Sequence, residues 1–269
     1  MQFLFKVKMN VIEPSTGVSS RLDRPETLAP IERIETSITA RTVAYCHTAL
    51  ARSPFFSRLK ARRITPAAMR YTFSQYHHWR DRLHQWFGLC IVKAGSSIDV
   101  NQNAALLSLS DHIFTDLKDD HNEMFLEFLH DIGLSRSDID ASHRSAATLS
   151  YEHSFLEQFG LGTDNFYEAL AALSGRELCV SIRNTEILQH YFDPQGLKHP
   201  TWLSLHAELE ANHFQDSIRP VLLHYGSSDD LAGVIDAIEQ GVDRHVQYFE
   251  ELLQEHDWQQ TGSSTNPTG

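Results

Sequence analysis

Apolar residues recur along this chain at the helical spacing of three and four, with almost no alternation of the kind a strand would show. Seven helical segments follow from that period. The first covers about 30–52 and stops before Pro54. The second opens at Thr65-Pro66, a cap followed by proline at the first helical position, and runs to about 94. The third spans about 102–132 and ends before Gly133. The fourth spans about 144–159. The fifth follows a cap at Thr163 or Asp164 and stops near Asp193-Pro194. The sixth runs from Pro200 to about 225, with a kink expected at Pro220. The seventh covers about 229–256. The reading is one all-α domain over residues 29–258, with residues 1–28 as a flexible arm and 259–269 as a disordered tail.

Composition narrows the function. The chain has 269 residues and a net charge of −12, without a basic block. Phosphate contacts need clustered Lys and Arg, so a nucleic-acid partner is excluded. No stretch approaches the roughly 20 apolar residues of a membrane span, so no membrane partner is expected. Three scattered cysteines, Cys46, Cys90 and Cys179, form no CxxC pair. Free thiols suit a reducing compartment, and the cytoplasm is the expected location. Sixteen histidines give the first hint of metal.

The chemistry concentrates in the sixth helix, TWLSLHAELEANHFQDS. His206, Glu210 and His213 stand at i, i+4 and i+7, within an arc of about 60° on one face. Trp202, Leu203 and Leu209 share that face, and Ser204, Glu208, Ala211 and Gln215 lie opposite. The row therefore faces the core. Burying a carboxylate and two imidazoles is costly unless something compensates. A divalent cation does so, and imidazole with carboxylate is a first-row transition-metal donor set. The alternative is a buried Glu hydrogen-bonded between two histidines.

Other helices supply further inward donors. His121 shares its face with Met124, Phe125, Phe128 and Ile132, and Glu177 with Phe166, Leu170, Leu173 and Val180. Arg176, Cys179, Arg183 and Glu186 fall off the Glu177 face. Asp116 shares a face with Leu109 and Ile113, yet it sits about 140° from His121 in a straight helix. The two converge only through a π-bulge or a local break. Asp111 and Asp120 are the substitutes for that carboxylate. On the second helix, Arg80 and His84 could meet a substrate carboxylate, but a solvated face is the expectation.

The order of these residues resembles the haem-oxygenase-like di-iron oxidases and oxygenases, whose seven-helix fold is shared with TenA-type and PqqC-type proteins. The stretches DHIFTDLKDDHNEMFLEFLHDIGL, SGRELCV, HAELEANH and ITPAAMRYTFSQYHHW carry the resemblance, which covers about residues 30–255. The first carboxylate, usually Glu in such proteins, is here an Asp at a different spacing from the histidine. The resemblance implies a single seven-helix haem-oxygenase-like bundle binding Fe(2+), two per chain, through Asp116, His121, Glu177, His206, Glu210 and His213. It also implies O2-dependent oxidation of a small-molecule substrate, amino-acid or fatty-acid-like, by N-oxygenation or oxidative C–C cleavage in a biosynthetic pathway. An electron donor and a homodimer stay open as partners. The competing readings are a metal-free PqqC/TenA-like enzyme of the same fold and a non-catalytic iron- or ligand-binding helical protein.

Overall fold

The periodic segments are helical, and most of them are interrupted by a short break or continued by a wider π-turn. A computed structural model describes residues 25–94, 99–118, 120–161, 165–226 and 231–262. Most of the expected arm, most of the tail, and the caps Thr163 and Asp164 lie outside these residues. The first segment is α1 (Pro25–Arg52) with α2 (Pro54–Lys60), and the second is α3 (Pro66–Arg80) with α4 (Leu83–Val92). The third divides into α5 (Val100–Lys118) and α6 (His121–Asp131), followed by the short α7 (Arg136–Ala141). Then come α8 (Ala146–Phe155) with a π-turn at Leu156–Leu161, and α9 (Phe166–Ile187) with a π-turn at Leu188–Phe192. The chain ends through α10 (Asp193–Gln195), α11 (Thr201–Tyr225) and α12 (Ala232–Gly262). No strand occurs among the described residues.

Local chemistry explains several boundaries. Thr65 accepts a hydrogen bond from the Ala68 N–H and Pro66 opens α3, the expected start. Asn165 caps α9 by accepting from Tyr167 and Glu168. Helix α1 begins earlier than expected, at Pro25, and α12 runs on to Gly262. Helix α11 continues through Pro220 to Tyr225.

Helix α9 occupies the centre, packed by α11 on one side, α12 on another, and α1. Every residue from 169 to 181 is buried. The sequence pattern placed Arg176 and Arg183 away from the inner face, but both are buried because α9 is covered all round. Arg183 stacks on Tyr76 and Phe249, and its guanidinium donates to Asn184 Oδ1 and His245 Nε2. Glycine permits the α9–α12 crossing. A methyl group on Gly241 would lie 1.9 Å from the Ala172 carbonyl oxygen, and one on Gly175 2.3 Å from that of Ile238. Thus α9 meets α12 backbone to backbone, while its opposite face turns Glu177 toward α11 and α5.

Candidate metal centre

Two clusters of metal-type donors lie where α5, α6, α9 and α11 meet. One comprises His112, Glu177, Glu210 and His213, and the other Asp116, His121 and His206. Within each cluster the donor atoms all lie within 4.8 Å of one another. All six residues singled out in the sequence are present, joined by His112. The signal for His112 was available, because it precedes Asp116 by four residues and shares its helix face. Asp111 and Asp120, the substitutes for Asp116, are both exposed and stand in neither cluster.

A break in the backbone brings Asp116 and His121 together. Asp120, at φ 53°, adopts the left-handed conformation that Asp tolerates better than most residues. Helix α5 ends at Lys118 and α6 restarts at His121, so the imidazole swings back. His121 Nδ1 then lies 3.1 Å from Asp116 Oδ1.

On α11 the helical period alone aligns the donors. His206 Nδ1 lies 2.8 Å from the Trp202 carbonyl oxygen, which can only accept. That nitrogen therefore carries the proton, and Nε2 keeps its lone pair for a metal. Such fixing of the far ring nitrogen is usual for metal-binding imidazoles. His213 Nδ1 lies 3.2 Å from Glu210 Oε2, and the His112 and His213 rings stand 3.8 Å apart.

Glu177 is the most exacting residue of the group. It is 0% exposed, and neither carboxylate oxygen has a hydrogen-bond partner. His112 Nδ1 approaches to 3.4 Å without the geometry of a hydrogen bond. Burial and the charge of Glu210 push the Glu177 carboxyl up to about 8. Burial also raises Glu210, but the His213 hydrogen bond and the surrounding imidazoles hold it well below the usual carboxylate range. Burial would lower His213, yet Glu210 and Glu177 lift it to about 9. Burial and His213 take His112 down to about 3, and burial takes His206 down to about 4. Strongly perturbed groups gathered at one locus mark a functional-site candidate. An unpartnered buried carboxylate among imidazoles is the environment a cation would complete.

The surroundings differ on the two sides. A groove of 610 Å³ reaches His112 and His213, walled by Leu107, Pro220 and Leu223 with Asp111 and Asp216. On the other side Arg80 is buried, against the expectation of a solvated face. Its guanidinium donates to Asp116 Oδ1 at 3.0 Å and to Asn122. It lies over the Phe125 ring at 5.2 Å, because α6 packs across the end of α3. His84 is exposed, as expected.

The profile of a family described as iron-containing redox enzymes matches residues 70–245. The chain belongs to this family. The matched span contains every residue of both clusters. As a member of the iron-containing redox enzymes, the chain also shares the fold of solved haem-oxygenase-like proteins. A TenA homologue from Pseudomonas syringae superposes with a TM-score of 0.65 at 14% identity, covering 80% of this chain and 92% of that one. A domain of unknown function with a haem-oxygenase-like fold, from Shewanella denitrificans, gives 0.63 at 16% identity, covering 93% and 100%. A TenA family transcription regulator from Silicibacter gives 0.59 at 14% identity, covering 81% and 95%. No curated protein matches the sequence. At such identities these structures establish the all-α haem-oxygenase-like fold. No helix among the described residues is long and apolar enough to cross a membrane.

Proposed function

We propose that this member of the iron-containing redox enzymes is a non-haem iron oxidoreductase. Two ferrous ions would be held by His112, Glu177, Glu210 and His213 and by Asp116, His121 and His206. The single observation that carries the reading is Glu177, fully buried with both carboxylate oxygens unpartnered and three other donor side chains around it. Bound iron would supply the electrons that reduce O2.

The protein's own contribution follows from its geometry. His206 is held in the tautomer that offers Nε2. Glu210 and His213 keep each other charged until a cation replaces the pairing. The groove is wide enough to bring a small molecule to the His112 and His213 edge, between the aliphatic Leu107, Pro220 and Leu223 and the charged Asp111, Asp216 and Arg219. The substrate class is an amino acid or a fatty-acid-like molecule, and the outcome N-oxygenation or oxidative C–C cleavage. Catalysis by a cysteine, as in a metal-free TenA-like enzyme, has less support, because Cys179 is fully buried and stands in neither cluster.

The test is anaerobic reconstitution with Fe(2+), metal counting, and exposure to O2 with candidate substrates. The proposal expects two irons per chain and an oxygen-dependent absorbance change. Iron uptake unaltered in a His206→Ala, His213→Ala double variant would sink it.

A further inference from the structure

Three of the four tryptophans are buried, and each carries a guanidinium on its ring. Arg176 lies 4.2 Å from the centre of Trp79, and Arg82 4.9 Å from that of Trp86. Arg183 and Arg80 lie 5.9 and 6.0 Å from Trp202, and Arg183 also covers Tyr76 at 4.8 Å. Trp258, the fourth, is exposed. Arg176 and Arg183 are the costly members of this set. Both are buried, Arg183 donates to the neutral groups of Asn184 and His245, and the Nε of Arg176 has no partner. A buried cation without a carboxylate is expensive, and contact with a ring face returns part of that cost.

The covered rings lead outward from the metal centre. Trp202 stands 5.0 Å from His206, Tyr76 6.2 Å from Trp202, and Trp79 5.5 Å from Tyr76. Tyr151 follows at 5.5 Å from Trp79, and Tyr248 stacks on Tyr151 at 4.3 Å, beside a surface depression. A file of such easily oxidised rings would drain oxidising equivalents from the centre into the protein. Three features oppose that loss. A ring that gives up an electron becomes positive, and a guanidinium at these distances repels the new charge strongly at low dielectric. The indole N–H groups of Trp79 and Trp202 have no acceptor, so their oxidised rings could not shed a proton either. Tyr151 faces His245, which cannot take its proton. Arg183 can only donate, so His245 Nε2 accepts, and burial keeps that imidazole neutral. Nδ1 therefore carries the hydrogen and directs it at the Tyr151 oxygen, 3.0 Å away.

The geometry points to Arg176 and Arg183 as insulators of the oxidising centre, holding electrons on Tyr76, Trp79 and Trp202 so that oxidising equivalents reach the substrate and not the protein. Arg82 acts likewise on Trp86. The inference rests on the iron reading above for its oxidant, and it gives a role to residues outside both donor clusters. The reaction they suppress is hydroxylation of a ring. The ring loses two electrons and gains one oxygen atom, and two Fe(2+) supply two more electrons. O2 takes all four, and its second oxygen leaves as water.

Two measurements on the full chain test this. In the first, Fe(2+)-loaded protein is exposed to O2 without substrate and digested, and oxygen added to each ring is located by mass spectrometry, per iron bound. Wild type is expected to keep Tyr76, Trp79 and Trp202 intact. Arg176→Gln is expected to raise the modified fraction of Trp79 by about ten-fold or more, as befits removal of a unit charge beside the ring. Arg176→Lys, which keeps the charge, is expected to stay near wild type. Modification of Trp79 or Trp202 in wild type, or equal levels in the three proteins, overturns the inference and leaves the iron reading intact.

The second measurement needs no metal. Metal-free protein is treated with the carbonate radical anion, two of which add one oxygen to a ring, one ending as carbonate and the other as carbon dioxide. The exposed Trp258 should be modified alike in all three proteins, and Trp79 in Arg176→Gln alone. Trp79 equally modified, or equally spared, in all three overturns the role given to Arg176. A protein that takes up no iron sinks the iron reading, and this second measurement still decides the role of Arg176. Should Arg176→Gln lose helicity, Arg82→Gln replaces it, with Trp86 as the reporting ring. Arg82 is half-buried and shares Glu152 with Arg144, so an excess positive charge stands over Trp86. The same rise is expected there, and its absence overturns the inference.

Discussion

His206 Nδ1 donates to the carbonyl oxygen of Trp202 one turn earlier in α11, at 2.8 Å. This bond turns a histidine on an apolar helix face into a directed donor. Trp202 lies 5.0 Å from the imidazole, ring to ring, and helps to hold its orientation. Removing His206 should therefore cost the second metal position. In His206→Ala, metal counting at saturation is expected to give one ion fewer than wild type, with the thermal transition of the metal-free form little changed. An unchanged count would exclude His206 as a ligand.

The metal-free protein should lose stability as pH rises from about 6 to 9. Glu177, raised to about 8 by burial and Glu210, favours the folded state while protonated. The unfolded chain releases that proton from about pH 4.3 upward, so the stabilisation falls until the folded pKa is passed. His213, lifted to about 9 mainly by Glu210, acts in the same direction: its contribution is present below about pH 6.5 and disappears as pH climbs through 9. Urea midpoints across this range, with chelator present, should decline, and Glu177→Gln should flatten the decline. A wild-type midpoint that rises with pH would contradict the assignment.

Metal should reverse that weakness. An ion that binds only the folded state stabilises it by about 2.7 kcal/mol at a hundred-fold excess over the dissociation constant. Melting curves with Fe(2+) under argon should move to higher temperature, and chelator should return them. The shift is expected to be largely absent in Glu177→Gln, which keeps the shape and removes the charge.

Asp120 offers a separate test, because its left-handed backbone joins α5 to α6. Asp120→Val forces a β-branched residue into φ 53°, at a cost of about 1–2 kcal/mol. The strain falls on the segment that brings His121 to Asp116, so metal occupancy should drop by one. Asp120→Gly should keep both stability and occupancy. Equal behaviour of the two variants in urea unfolding and metal counting would show that the backbone break does not position His121.

The α9–α12 crossing is expected to be intolerant of even one carbon atom. Gly241→Ala would place a methyl group 1.9 Å from the Ala172 carbonyl oxygen, and the helices must part to accept it. Overpacking of this kind costs about 1–3 kcal/mol. Urea denaturation should show the loss, and Gly196→Ser, at a glycine with nothing within 4 Å, supplies a control limited to its positive φ.

Much of the centre was legible because helical periodicity reports which residues share a face. His206, Glu210 and His213 form such a row, and the apolar company of Glu177 and His121 marked both as inward. The convergence of Asp116 and His121 was foreseeable as a condition, a break between them, and Asp120 meets it. His112 stands one turn before Asp116 on the same face, but its partners Glu177, Glu210 and His213 reach it only through the packing of α9 and α11 on α5, which the local period does not report. Arg80 departs from the expected solvated face for a different reason. Its burial comes from α6 crossing the end of α3, and packing between distant segments leaves no trace in the period of either. The same holds for Arg176 and Arg183, which sit on the side of α9 that an isolated helix would expose.

Anomalous diffraction tests the central claim most directly. Crystals loaded anaerobically with Fe(2+) and measured at the iron absorption edge should show two peaks per chain. One is expected among His112, Glu177, Glu210 and His213, and the other among Asp116, His121 and His206. Iron bound elsewhere, or no peak touching Glu177 at saturating metal, would contradict the account.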